Sequence, residues 1–264
     1  MESIIITGAY GGMGRATVKN LLKKGYRIFA LDVKTEESKD ENLIPISVDI
    51  TSEESLLKAK KTILSYTDKI HAIIHYAGLY ILDSLIEIES SAFQKIVSVN
   101  FIGPYLVNKV FYSLLKTNSK IIIVTSELAT IKPLPFTGLY AITKIALDRY
   151  AYSLLMETQL NNIYVSVIRS GAVKTNMIEK STTELSSFVN KTELYRCNAK
   201  RFKKIVDIVE AKSITAEELS QKTISILEKK KPHFSYSINR NIFLNLTHLC
   251  PNFIELKIIK KILS

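Results

Sequence analysis

Tyr140-Ala-Ile-Thr-Lys144 sets a phenol and an ammonium four residues apart, a spacing that a helix turns into neighbours on one face. A free tyrosine has a pKa of about 10, and a nearby cation favours its phenolate, so the pair suits general acid or base work. Near the amino terminus lies the run Thr7-Gly8-Ala9-Tyr10-Gly11-Gly12-Met13-Gly14. Gly8 permits a tight turn, Gly12 lets backbone approach a pyrophosphate, and Gly14 lets a helix pack closely on a strand. Asp32 follows about 20 residues on, the place from which a carboxylate holds ribose hydroxyls. It would repel a phosphate on the 2′ oxygen, and no basic residue sits among Ala9, Tyr10 and Gly11 to offset that, although Lys34 is near. The expected cofactor is NAD, with NADP disfavoured.

The elements that must position these groups alternate. Residues 3–7 read as a buried strand, 13–24 as a helix closed by Gly25, and 26–31 and 43–48 as strands. A Lys-rich helix over 52–66, a strand over 70–75, and one long helical stretch over about 90–115 come next. Strand 120–124, helix 138–160 and strand 163–168 complete the pattern. Such alternation predicts an α/β fold, a single-domain, Rossmann-like doubly wound parallel sheet with helices on both faces. No boundary divides residues 1–264. Residues 175–212 read as a polar, basic, helix-prone insertion covering a site, 216–229 as a helix, 233–238 as a short strand, and about 240–264 as an amphipathic basic tail.

Taken together, the glycine loop, Asp32 and the Tyr-x-x-x-Lys pair resemble the short-chain dehydrogenase/reductase family over nearly all of residues 3–178. The resemblance implies hydride transfer between a nicotinamide and a carbonyl or secondary alcohol. It implies catalytic roles for Asn100, Ser126, Tyr140 and Lys144: Tyr140 as the acid or base, Ser126 as the carbonyl's hydrogen-bond partner, Lys144 as the group that lowers the Tyr140 pKa and holds ribose, and Asn100 as the holder of a relay water. Ser126 lies 14 residues before Tyr140, so Thr125 stays open as its alternative. The implied cofactor contacts are Gly8, Tyr10, Gly11, Gly12, Met13 and Gly14, with Asp32, Asp49, Ile50, Ala77, Gly78, Tyr140, Lys144, Gly171, Val173 and Thr175. Three positions depart from the family pattern: His75 and Tyr76 stand for two asparagines, and Ser170 for a proline.

Substrate contacts are expected from Ser126, Leu128, Leu134, Tyr140 and Met177, with Phe136, Leu139, Ile178 and Phe188 adding apolar character. A small lipophilic alcohol or ketone such as a hydroxysteroid leads, ahead of a 3-oxoacyl-thioester or a non-catalytic NAD-sensing role. His71, His75, His233 and His248 lack ligand spacing, so no metal is expected and the histidines read as satisfied structural groups. Asp148 and Arg149 read as a solvated face. Of the net charge of +11, residues 1–190 carry only +3 and the last quarter carries the rest. That quarter offers no nucleic-acid module, and docking on an anionic membrane surface ranks behind a free enzyme. Two cysteines, and an amino-terminal apolar run too short for a signal peptide, predict a reducing, cytoplasmic setting. The resemblance also implies a homodimer or homotetramer built through the helices around 101–115 and 140–160.

Overall fold

The computed structural model describes residues 1–241 and 251–264, apart from the side chains of 176–182 and 184. Seven strands form one sheet, all in parallel register: β1 (Ser3–Thr7), β2 (Arg27–Asp32), β3 (Leu43–Ser47), β4 (Ile70–His75), β5 (Leu115–Val124), β6 (Tyr164–Ser170) and β9 (Ser235–Ile238). Their order is β3-β2-β1-β4-β5-β6-β9, so the winding reverses between β1 and β4. In such sheets the crevice at the carboxyl ends of the strands flanking that reversal is where ligands bind. Two-residue strands β7 (Val173–Lys174) and β8 (Ile214–Thr215) pair beside it.

Helices cover both faces because the central strands are apolar on both. Ile4, Ile6, Ile28 and Ile74 point into a cluster closed by Val18 and Leu21 of α1 (Gly12–Lys23) and by Leu219 and Ile224 of α8 (Ala216–Leu227). Ile5, Phe29 and Ile73 point the other way, against Leu56 and Ile63 of α2 (Glu53–Leu64) and Val107 and Phe111 of α4 (Gly103–Phe111). Leu147 and Ala151 of α5 (Gly138–Thr158) cover Ile121, Ile123 and Val167 farther along. The doubly wound sheet expected from the alternating pattern is the observed fold.

Some boundaries differ from the sequence reading. The long helix over 90–115 is three pieces: α3 (Ser90–Val97), a π-helical turn at Ser98–Ile102, and α4. The turn is wide where buried Asn100 must reach sideways, and Pro104, which has no N–H, cannot serve the Asn100 carbonyl in the α register. Leu115 already belongs to β5. The insertion resolves into α6 (Asn176–Lys191) and α7 (Arg196–Glu210), and the tail carries α9 (Asn252–Leu263), packed on α7.

Asp148 corrects the reading of a solvated face. It is 3% exposed, and its carboxylate takes two bonds from Arg169, Nε and Nη2 each at 2.9 Å, plus one from Thr125 Oγ1 at 3.3 Å. Arg169 on β6 supplies the charge that makes this burial tolerable. Arg149 next to it is exposed, as expected.

Candidate active site

Two adjoining clefts open at the carboxyl ends of β1, β4 and β5. One, of about 1040 Å³, is lined by Gly8, Tyr10, Gly11, Gly12, Met13, Gly14, Asp32, Asp49, Ile50, Ala77, Gly78 and Thr175. These twelve were assigned to the cofactor from sequence, and the fold brings them together. Glycine is demanded sterically at several. A Cβ on Gly14 would stand 2.2 Å from Gly8 O, and one on Gly8, where φ is +65°, would stand 2.6 Å from Ala77 N. On Gly12 it would meet Thr175 Cγ2 at 2.9 Å.

The amino end of α1 suits an anion. Its first turn has no acidic residue and no side chain caps it, so its N–H groups and the positive end of the helix dipole face the cleft. Asp32 accepts from Tyr10 N at 3.0 Å through Oδ2 and from Val33 N at 2.8 Å through Oδ1. A ribose diol could take the remaining lone pairs of the same oxygens. Arg15, the nearest guanidinium, is held by Glu36 in a two-point ion pair and also donates through Nε to Tyr10 O at 2.8 Å. Asp49 is exposed and its Oδ1 accepts from Thr51 N, turning the chain into α2, while Ile50 is buried against Gly103.

The second cleft encloses about 160 Å³ and is reached from the first past Met13, Gly78 and Thr175. Ser126, Leu128, Leu134, Tyr140, Lys144, Gly171 and Val173 line it. Ser126 lies two residues beyond β5 and opens a 3-10 turn, Glu127–Thr130; its Oγ accepts from Leu128 N at 3.2 Å and lies on the Tyr140 side, where it favours the phenolate. Thr125 points its hydroxyl back to Asp148, so the alternative between Thr125 and Ser126 resolves geometrically in favour of Ser126 as Tyr140's partner.

Lys144 Nζ lies 5.7 Å from the Tyr140 ring centroid and donates to Val124 O at 3.1 Å. The resemblance implied that this ammonium lowers the Tyr140 pKa. In the structure the net shift runs upward: burial pushes the phenol to about 12 against the opposing influence of Ser126, and burial pushes the Lys144 ammonium down to about 8. Desolvation wins because both groups sit in an apolar wall and Lys144 has no carboxylate partner among the described residues.

Asn100 stands behind this pair. Oδ1 accepts from Leu79 N at 2.7 Å, and Nδ2 donates to Leu79 O at 2.9 Å and to Thr143 Oγ1 at 3.0 Å. Both amide hydrogens are thereby used, which fixes the turn after β4 against α5. Gly78 lies between Asn100 and Lys144: its Cβ would be 3.4 Å from Asn100 Oδ1 and 3.8 Å from Lys144 Nζ.

Each departure from the family pattern has a local compensation. His75 bonds through Nε2 to Asn108 Oδ1 at 2.9 Å, and Asn108 continues to the Tyr150 hydroxyl; burial drops the His75 pKa to about 4, and its Nδ1 has no partner among the described residues, so this histidine is half satisfied there. Tyr76 OH joins Thr17 and Thr223, both at 2.7 Å, and so ties α1 to α8. Ser170 keeps an N–H where proline has none, and β6 runs through it to pair with Ile238. Beyond β9, Asn239 adopts φ +54° and donates through Nδ2 to Ala172 O and Lys212 O. Its carbonyl presses on Gly171, where a Cβ would stand 1.9 Å away, and Asn241 N donates to Glu127 Oε2 at 2.6 Å.

Sequence reasoning missed several lining groups. Tyr80 packs edge-on against Tyr140 with ring centroids 4.7 Å apart, and Thr137, Glu127 and Glu210 add polarity. Burial and the carboxylates of Glu210 and Glu127 hold the Tyr80 phenol far above its ordinary value. Phe202, Ile205, Val206 and Val209 of α7 form the apolar wall. That wall was legible: its i, i+3, i+4, i+7 spacing is an apolar stripe on an otherwise basic helix. Tyr80 offered no local signal. Phe136, Leu139 and Phe188, expected at the substrate, do not line the cleft; Phe136 and Phe188 pack in the hydrophobic cluster beneath α6 and α7. The side chains of Met177 and Ile178 lie outside the described residues.

A family model described as short chain dehydrogenase matches residues 2–186. The chain belongs to the short-chain dehydrogenase/reductase family. It is 28% identical over 258 residues to the Helicobacter pylori strain J99 protein named "Probable short-chain type dehydrogenase/reductase VdlC", covering 94% of this chain and 93% of that one. It is 30% identical over 190 residues to mouse (Mus musculus) estradiol 17-beta-dehydrogenase 2, covering 67% of this chain and 49% of that enzyme. The fold matches the crystal structure of Brucella melitensis 3-ketoacyl-(acyl-carrier-protein) reductase complexed with NADH at a TM-score of 0.73 and 18% identity, covering 90% of this chain and 96% of that one. The chain is thus an oxidoreductase of a family that uses NAD(P)(H).

Proposed function

We propose that the protein interconverts a lipophilic secondary alcohol and its ketone with NAD, a hydroxysteroid-like compound being the leading substrate class. The observation that carries this reading is that Ser126 and Tyr140 face one cleft together with Lys144, walled by Leu128, Leu134, Phe202, Ile205, Val206 and Val209. When bound, the nicotinamide supplies or accepts the hydride. The chain's own residues do the rest. Ser126 Oγ, already directed at the phenol, holds the substrate oxygen beside Tyr140 OH, which gives its proton to that oxygen in reduction and takes it in oxidation. Lys144, with Nζ 5.7 Å from the centre of the Tyr140 ring, would hold a ribose hydroxyl. Both Asn100 amide hydrogens are engaged, so a relay water that needs an acceptor would rest on its main-chain carbonyl, which Pro104 leaves without an α-helical donor.

NAD is favoured over NADP by charge. Asp32 stands where the 2′ oxygen would lie, and the one guanidinium near it, Arg15, is neutralised by Glu36. The mouse relative acts, by its name, on estradiol, in keeping with an apolar, rigid substrate. A homodimer or homotetramer through α4 and α5 is part of the same reading, since Tyr105, Ile142, Tyr152 and Met156 are exposed there.

A panel of steroid and aliphatic alcohols and ketones, assayed with NAD(H), tests the proposal. Wild type is expected to turn over lipophilic members, and Tyr140→Phe to lose about 10²–10⁴-fold in rate while NAD affinity, read by calorimetry, is kept. Turnover by neither protein, with NAD bound by both, would sink it.

A further inference from the structure

The charge that the catalytic portion does not carry is concentrated on two helices that touch each other. Helix α7 has two faces. Inward, Phe202 and Val206 are buried and wall the substrate cleft. Outward, Lys200, Arg201 and Lys204 are exposed, and Ile208 stands among them 66% exposed. Helix α9 docks on α7 through Ile259 and Leu263, is fastened by Asn198 Nδ2 to Leu263 O at 2.7 Å and by the Lys132–Glu255 ion pair at 2.8 Å, and is exposed along the rest of its circumference. That exposed part carries Lys257, Lys260 and Lys261 beside Phe253 at 63% and Leu256 at 67% exposure.

None of these six cations has a carboxylate partner among the described residues. A face meant only for water does not need Phe253, Leu256 and Ile208 bare, and a face meant for a second copy of itself would bring two rows of uncompensated lysines together. A surface with negative groups in front and an apolar layer behind satisfies both halves of the pattern at once.

We propose that the outer face of α7 and α9 docks on an anionic phospholipid surface. The lysines and Arg201 meet the headgroups while Phe253, Leu256 and Ile208 enter the boundary with the acyl chains. Ile205 lines the cleft and is 36% exposed, so the rim of the substrate cleft lies on the same helix as the docking face. Delivery of a lipophilic substrate from the bilayer to the cleft rests on the function proposed above; the docking itself does not.

The experiment is sedimentation of the full chain with vesicles of phosphatidylcholine alone and of phosphatidylcholine mixed with phosphatidylglycerol, at low and high salt. Binding is expected only to the anionic vesicles and to weaken as salt rises. Lys257→Gln with Lys260→Gln and Lys261→Gln, all at exposed positions, is expected to lower vesicle affinity about a hundredfold, at about a factor of five per lysine. Phe253→Ser with Leu256→Ser is expected to abolish sedimentation, with NAD affinity unchanged as the check that this variant is folded. No binding to anionic vesicles, or binding that neither variant changes, would overturn the proposal. So would light scattering in which these variants split an oligomer, which would assign the face to a second copy, or vesicle binding abolished by a polynucleotide that binds more tightly. Vesicle binding needs no substrate, so its failure leaves the catalytic reading untouched, and failure of the substrate panel leaves the docking untouched.

Discussion

The two clefts meet at Met13, Gly78 and Thr175, yet they are built in opposite ways. The cofactor cleft is made mostly of main chain from short, contiguous stretches: residues 8–14, Asp32, Asp49–Ile50 and Ala77–Gly78, each at the carboxyl end of a strand. Its shape depends on the absence of side chains, and contacts of 2–3 Å to a missing Cβ leave little latitude. The substrate cleft is made of side chains from Tyr80, the 126–137 loop and α7, separated by up to about 130 residues and joined only by packing. A geometry that forbids side chains marks single positions in the sequence; one assembled from distant elements shows at most an apolar stripe such as that of α7, and not what the stripe faces.

The difference can be broken from either side. Phe202→Ala has the largest expected effect, because a buried phenylalanine in the cluster with Phe136 and Phe188 costs about 3–5 kcal/mol when truncated. The loss should fall on the substrate side: KM for a lipophilic alcohol rises steeply while NAD affinity, read by calorimetry, stays within about twofold. An equal loss of NAD affinity would show that the two clefts are one cooperative unit.

His75 gives the next largest effect, and it bears on the side the sequence describes well. Its imidazole is neutral in the folded chain down to about pH 4 and protonates at its ordinary value of about 6.5 when unfolded. Between those values the unfolded chain binds the extra proton, so stability falls as pH falls, by up to about 3 kcal/mol at pH 4. Thermal unfolding across that range should show a steeper acid loss in wild type than in His75→Asn, which has nothing to protonate. Parallel slopes for the two would remove His75 as the cause.

Gly14→Ala is the smallest of the three. A methyl 2.2 Å from Gly8 O must push α1 or the loop aside, at about 1–3 kcal/mol. The expected reading is NAD affinity about ten- to a hundredfold weaker, with the fluorescence of a bound steroid analogue unchanged. If the analogue is lost as well, the asymmetry between the clefts is wrong.

Most of the fold was readable from strands such as Ile4–Ile6 and Ile121–Ile123, which are apolar on both faces and so require helices on both. The glycines of the larger cleft were readable for the steric reason already given. Asp148 was not, since its partner Arg169 is 21 residues away on another element and nothing near it signals a buried ion pair. The surroundings of Asn100 were not legible either: it sits in a π-helical turn that breaks the stretch read as one helix, and it bonds to Leu79 and Thr143 on other elements. The burial of Tyr140 and Lys144 was not legible, because spacing reveals a neighbouring charge but not the depth at which both groups lie.

The segment after β9 has a temporal consequence. Asn239 presses on Gly171, Asn241 holds Glu127, and Arg240 reaches Thr130, so the loop that carries Ser126 is clamped by residues made more than 100 positions after it. During synthesis, the glycine loop, Asp32 and Tyr140 emerge from the ribosome long before that clamp exists. The loop that carries Ser126 can therefore gain these contacts only after the strand at the sheet's far edge has been laid down.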